Sequence, residues 1–413
     1  MRFRTTISLS IFLLSVSFLF GQGNTGQIAA EFDAAVDQHD HALASRKARQ
    51  LLEADPNAGW MLASGLEKLA ALPKPLTGLL DTLSLAYELG AKNRPEEASE
   101  YLQKRAFLGF RFPIRFRRQQ MAWLREAIRT NPLQCSLQLY QFWSDELERG
   151  KLRDRLSMGK IAREWASYDR FLYARELTYP TDAESIHRVR VNLHHKLSDL
   201  SPDCDAIAKT LKVETETSQI YPGLVLHSLK KCRKKSSWDR FAAHLDNNEG
   251  WGHRLMAYHF LDVGNTEECL AWFNRALKLE DMPILKADLH LQTALLYMRM
   301  GKYRTARSQI LAAIRLAPTW GELYLGLVDV YLDGARECGF NEFDQKAVYW
   351  LAIDLCQRAI NSSPHLEKEA NEKIFEYRLR MPNAEEVKFR GLSAGDTWPL
   401  KCWMNTVTTV KVE

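Results

Sequence analysis

At 413 residues the chain is longer than one core fills, and it suits two or three domains or a stack of repeats. A composition of 46% hydrophobic and 26% charged residues excludes a disordered or fibrous chain. The formal charge of +5 falls by two without Arg2 and Arg4, too close to neutral for the whole chain to argue for a polyanion partner.

Met1 to Gly21 has the pattern of a signal peptide: Arg2 and Arg4 precede an apolar run, Ile7 to Phe20, that is short for a membrane span. Cleavage near Gly21 and Gln22 is expected, which makes the chain exported, periplasmic or outer-membrane associated. An uncleaved N-terminal anchor is the alternative. No later stretch reaches about 18 unbroken apolar residues.

Residues 22–135 read as degenerate helical hairpins. Apolar residues from Ile28 to Ala54 fall at helical spacing, with Ala44, Ala48 and Pro56 where the second helix and stop of a two-helix repeat belong. Further helices are expected over 59–72, 76–90 and 95–108. The strongest charge feature lies at 104–129: Lys104, Arg105, Arg111, Arg115, Arg117, Arg118, Arg125 and Arg129 stand against Glu126 alone, with Phe107, Phe110, Phe112, Phe116 and Trp123 interleaved. Such a surface, centred on Arg111, Arg115, Arg117 and Arg118, can hold an anionic headgroup or an acidic polysaccharide. The plainer reading makes the aromatics core and the arginines a solvated face. Export argues against nucleic acid.

Residues 136–249 continue as amphipathic helices, clearest at 136–149, 157–176 and 183–198, and another short helix is expected at 237–249. The histidines at 187, 194 and 195 lack a carboxylate at metal-ligand spacing, so neither a metal nor a cofactor is expected. Seven cysteines show no CxxC. Cys269 and Cys356 sit at apolar helical positions and read as buried. Export permits disulfides, for which Cys204 with Cys232 and Cys338 with Cys402 are the preferred pairs. Spacing does not fix the connectivity.

Residues 250–385 carry the clearest periodicity. Ala294, Tyr297, Gly301, Ala306, Ile310, Ala313 and Pro318 follow the tetratricopeptide ladder, and Ala257, Phe260, Gly264, Cys269, Phe273, Ala276 and Asp281 repeat it one unit upstream. A third unit begins near Trp320, with an insertion at 332–343 expected to project from one edge, and a closing helix follows. In the tail, 386–413, TVTTVKV reads as β-structure and must dock on something.

Cys338-Gly339-x-Asn341-Glu342-Phe343, Lys346 to Ala352 with Asp354, and the ending with Phe389-x-Gly391, Gly395-Asp396 and Trp403 resemble the terminal unit of exported tetratricopeptide proteins of Gram-negative bacteria, over about 290–413. The resemblance carries no activity. It implies an all-α, helical-hairpin solenoid with a short β-like tail, and it puts concave, groove-facing positions at Trp251, Arg254, Tyr258, Leu261, Asp288, Leu291, Leu295, Met298 and Arg299. The Lys and Asn of a peptide-carboxylate clamp are absent there. A groove so apolar expects either an apolar ligand or the chain's own tail, anchored by Trp398 and Trp403 and tied back by Cys338 to Cys402. The tail is the favoured occupant.

No HExxH, GxSxG, GxxxxGK[ST] or GxGxxG motif occurs. The expected function is therefore an exported protein- or peptide-binding or assembly scaffold without catalysis. A surface binder using the basic patch and a carbohydrate-active helical enzyme are the alternatives.

Overall fold

Amphipathic spacing becomes helical hairpins in both parts of the chain. The computed structural model describes residues 24–152, 158–200 and 250–412, and the chain divides into two units, Met1–Arg153 and Asp154–Glu413. The expected signal peptide, Cys204, Cys232 and the helix expected at 237–249 lie outside the described residues.

In the first unit, α1 (Asn24–Asp37) pairs with α2 (His41–Ala54). Asp40 caps α2 by accepting from the amides of Ala42 and Leu43 at 3.1 and 2.9 Å, a contact that stabilises the helix by about 1 kcal/mol. Ala44 and Ala48 are fully buried, as a close helix pair requires. Next come α3 (Gly59–Ala71), stopped where Leu72 turns extended before Pro73, then α4 (Thr77–Asn93) and α5 (Ala98–Arg111). A one-turn α6 (Pro113–Phe116) leads to α7 (Gln120–Thr130) and α8 (Leu137–Leu152). Helix α5 packs on α4, α7 and α8.

In the second unit, α9 (Met158–Thr178) pairs with α10 (Ala183–Leu200), α11 (Gly250–Asp262) with α12 (Thr266–Leu279), and α13 (Pro283–Arg299) with α14 (Tyr303–Leu316). The two ladders seen in the sequence are structurally equivalent. Gly264 and Gly301 both adopt left-handed backbone, at φ 77° and 70°. In each, the amide just past the glycine reaches back to a carbonyl of the first helix, Asn265 to Phe260 and Lys302 to Tyr297, both at 2.8 Å. That bond satisfies an orphan helix-end carbonyl, and glycine is the residue that turns the chain without a Cβ penalty. Ala257, Cys269, Phe273 and Ala276, like Ala294, Ala306, Ile310 and Ala313, are fully buried, so the small residues do set the approach of the paired helices.

The third unit is α15 (Glu322–Gly334) with α16 (Glu342–Ser362), followed by α17 (Glu367–Arg378) and a short α18 (Ala384–Phe389). Within the connection expected over 332–343, α15 runs on to Gly334, a 3-10 turn spans Ala335–Cys338, Gly339 turns at φ 59°, and Asn341 caps α16 by accepting from the Asp344 amide. The tail then forms an antiparallel pair, β1 (Thr397–Leu400) with β2 (Thr406–Thr409), in register from Thr397↔Thr409 to Leu400↔Thr406. The β-branched run therefore forms a strand as expected, whereas 386–389 belongs to α18.

Candidate functional site

Part of the expected concave groove of the second unit is covered, by a helix and not by the tail. Arg254, placed on that face by the repeat geometry, is only 1% exposed and forms an ion pair with Asp288, also buried. The Arg254 guanidinium lies 4.9 Å from the ring centroid of Tyr173 on α9, and the Tyr173 hydroxyl donates to Asp288 at 3.1 Å. Lower on the same helix, Arg170 bridges Glu280 and Asp281 at the start of the α13 hairpin. Burial pushes the Tyr173 phenol up to about 12, so it stays a neutral donor. Helix α9 thus covers the buried Arg254–Asp288 pair.

The remaining predicted positions are split. Tyr258 stands edge-on to Phe273 at 5.5 Å and is half-buried, as are Leu261, Leu291 and Met298. Leu295 and Arg299 are exposed. For Trp251 the structure describes only the backbone, in the first turn of α11.

The tail docks instead on the third unit, chiefly along α16. Trp398 donates from its indole to Asp344 at 2.9 Å and meets Phe343 edge-on at 5.2 Å. Trp350 of α16 donates to the Lys411 carbonyl at 3.0 Å. Lys411 pairs with Asp354 at 2.6 Å, to which Thr408 also donates at 3.3 Å. Trp403 is buried against Tyr331 of α15. Cys338 and Cys402 are bonded, with Cα atoms 5.7 Å apart, closing this seam. The tail seals the end of the core and leaves the face of α11 and α13 to α9.

Three residues of the basic stretch in the first unit, Lys104, Arg105 and Arg115, are neutralised by carboxylates outside the stretch. Lys104 pairs with Glu67 and Glu100 at 3.2 and 3.0 Å, Arg105 with Glu88, and Arg115 with Asp81. Phe116 and Trp123 are buried and 5.0 Å apart, while Arg105 stacks over Trp123 at 4.6 Å. Those aromatics are core, in line with the plainer reading. Arg111, Arg117 and Arg118 stay exposed.

A cleft of about 490 Å³ opens between α3, α4, α5 and α8, and sequence reasoning had not singled it out. Phe107 and Phe110 on α5 form one wall with Phe142 on α8, at centroid distances of 6.1 and 4.5 Å. A polar chain crosses its floor: the Tyr87 hydroxyl donates to Glu67 at 2.9 Å, and Lys104 bridges Glu67 to Glu100. Burial and the adjacent carboxylate push the Tyr87 phenol up. Burial works against the Lys104 charge, but its hydrogen bonds to Glu100 and Glu67 outweigh it and raise the amine. Arg111 stands at the rim. The signal available in the sequence was the stripe Lys104, Phe107, Leu108 and Arg111 at offsets of 3, 1 and 3 on one helix face.

Paired helices with left-handed glycine terminators and buried small residues define an all-α, helical-hairpin fold that is tetratricopeptide-like. No protein-family model and no curated protein matches the chain. Among solved structures it is similar to a crystal structure of MamA protein, at TM-score 0.28 and 12% identity over 55% of this chain and 94% of that one. A second MamA crystal structure gives 0.27 and 14% over 47% and 96%. The APC/C hetero-tetramer Cut9-Hcn1 gives 0.20 and 11% over 90% and 99%.

Proposed function

We propose that the chain is an exported scaffold of the cell envelope that binds a protein or peptide partner and works by binding, not catalysis. The observation that carries this reading is the aromatic cleft of the first unit. Phe107, Phe110 and Phe142 offer an apolar wall for a partner side chain, while Arg111 and Lys104 offer donors to a carboxylate or backbone carbonyl beside it. Apolar walls with a few placed polar groups are how concave helical surfaces fix a bound segment. Export is supported by the Met1 to Gly21 pattern and by the Cys338–Cys402 bond, which persists in an oxidising compartment. The likeness of the 290–413 segment to exported tetratricopeptide proteins agrees with that placement.

A photo-crosslinking amino acid at Phe142, introduced in cells and irradiated, tests the reading. A discrete adduct that vanishes with Phe110→Asp, and that does not form from a probe at Phe375, is the expected result. Adducts from Phe375 but none from Phe142 would move the binding site off the cleft. Fractionation of the full chain beside one lacking residues 2–21 tests export.

A further inference from the structure

The turn between α5 and α7 brings together exposed arginines and an exposed aliphatic side chain. Arg111, Arg117 and Arg118 are exposed and pair with no carboxylate among the described residues, in contrast to Lys104, Arg105 and Arg115. At the apex, Ile114 is 97% exposed. An isolated exposed aliphatic is ordinary, but here it lies within eight consecutive residues that also carry these three exposed arginines, Arg111, Arg117 and Arg118.

The turn is also held in place. Phe116 is buried against Trp123, Arg115 is pinned to Asp81, and the guanidinium of Arg111 lies 5.3 Å over the Phe112 ring. Phe116 therefore points inward while Ile114, two residues earlier, points to solvent, and the apex is presented without ordering a loop on binding. A nucleic acid or a polysaccharide chain would engage the guanidinium groups and leave Ile114 idle. A bilayer uses both: anionic headgroups meet the arginines, and the aliphatic apex enters the interfacial layer.

We infer that the α5–α7 turn, through Ile114, Arg111, Arg117 and Arg118, is a peripheral contact for a bilayer surface rich in anionic lipid. Contact through one aliphatic group and three charges is weak and reversible. It orients the first unit on a membrane rather than anchoring it.

Sedimentation of the purified chain with vesicles tests this, comparing phosphatidylcholine alone with a mixture containing phosphatidylglycerol. An apolar leader would favour both vesicles alike, so a preference for phosphatidylglycerol isolates the charged turn without any variant. The expected result is that preference, abolished by high salt. The double variant R117E/R118E, which removes two attractive charges and adds two repulsive ones, should reduce partitioning by more than about thirtyfold, and Ile114→Ser about tenfold. Arg129→Glu, at an exposed arginine outside the turn, should change it less than about twofold. These side chains are solvent-facing, so an unchanged unfolding transition checks the fold. Equal binding to both vesicles overturns the proposal. So does a loss with Arg129→Glu as large as with R117E/R118E, which would mean diffuse charge. Full binding by Ile114→Ser, matched by Ile114-independent binding to heparin or single-stranded DNA, would make the turn a polyanion site instead.

Discussion

Trp403 lies parallel to Tyr331, with ring centroids 5.9 Å apart and planes 10° apart, and it fills the space beside Gly334. A Cβ at Gly334 would sit 2.5 Å from the Trp403 ring and 2.8 Å from Tyr303. The tail and the end of α15 are thus fitted to each other at a position where only glycine leaves room.

Gly334→Ala is expected to destabilise the second unit by about 1–3 kcal/mol through overpacking, and Trp403→Ala by about 3 kcal/mol through loss of a buried aromatic. Urea unfolding measures both. Trp403→Ala should also speed proteolysis of the tail after Asn383. Wild-type resistance in that variant would mean the polar contacts on α16 alone hold the tail.

The Cys338–Cys402 bond spans 64 residues. A loop of that length removes enough unfolded-state entropy to contribute about 4 kcal/mol. Reduction is expected to lower unfolding stability by about 2–4 kcal/mol without freeing the tail, because Trp398, Lys411 and Thr408 keep their partners on α16. Hydrogen exchange of the Thr406–Thr409 strand after reduction is the check. Immediate exchange there would show the bond to be the principal anchor.

What the sequence showed and what it hid follow one physical rule. Gly264, Gly301 and the buried alanines were legible because their conformations and packing partners lie within one hairpin. The groove was not. The resemblance that marks Arg254 and Asp288 as facing the concave side is the same whether that side meets water or another helix, and Tyr173, which covers them, belongs to an earlier hairpin. The basic window misled in the same way, because Glu67, Asp81 and Glu88 lie outside it. Trp398 and Trp403 were recognisable as docking residues, yet the surface receiving them was α16 and α15, which no local pattern specifies.

The Arg254–Asp288 pair should behave as a buried ion pair. Arg254→Met or Asp288→Leu alone leaves a charge without its partner and should cost about 3–5 kcal/mol, whereas the double variant should come back to within about 1–2 kcal/mol of wild type. A double-mutant cycle in urea measures the coupling. Additive losses would mean that Tyr173 and Tyr258, not the pair, satisfy each charge.

Asp33 on α1 gives the first unit a distinct pH dependence. Burial pushes its carboxyl up from 3.8 to about 6, with repulsion from Asp37 adding to the shift and Lys68 opposing it. The folded unit therefore keeps this proton over a pH range where the unfolded chain has released it. Its contribution is fully present below the unfolded value of 3.8 and is lost as pH rises through about 6. The half-exposed position and solvent screening limit the loss to about 1–2 kcal/mol. Asp33→Asn, which stays neutral throughout, is expected to stabilise the unit by that amount at pH 7 and to match wild type near pH 4. Urea unfolding followed by a reporter in the first unit, at several pH values, measures the difference. An equal gain at both pH values would trace the effect to packing at Asp33 rather than to its proton.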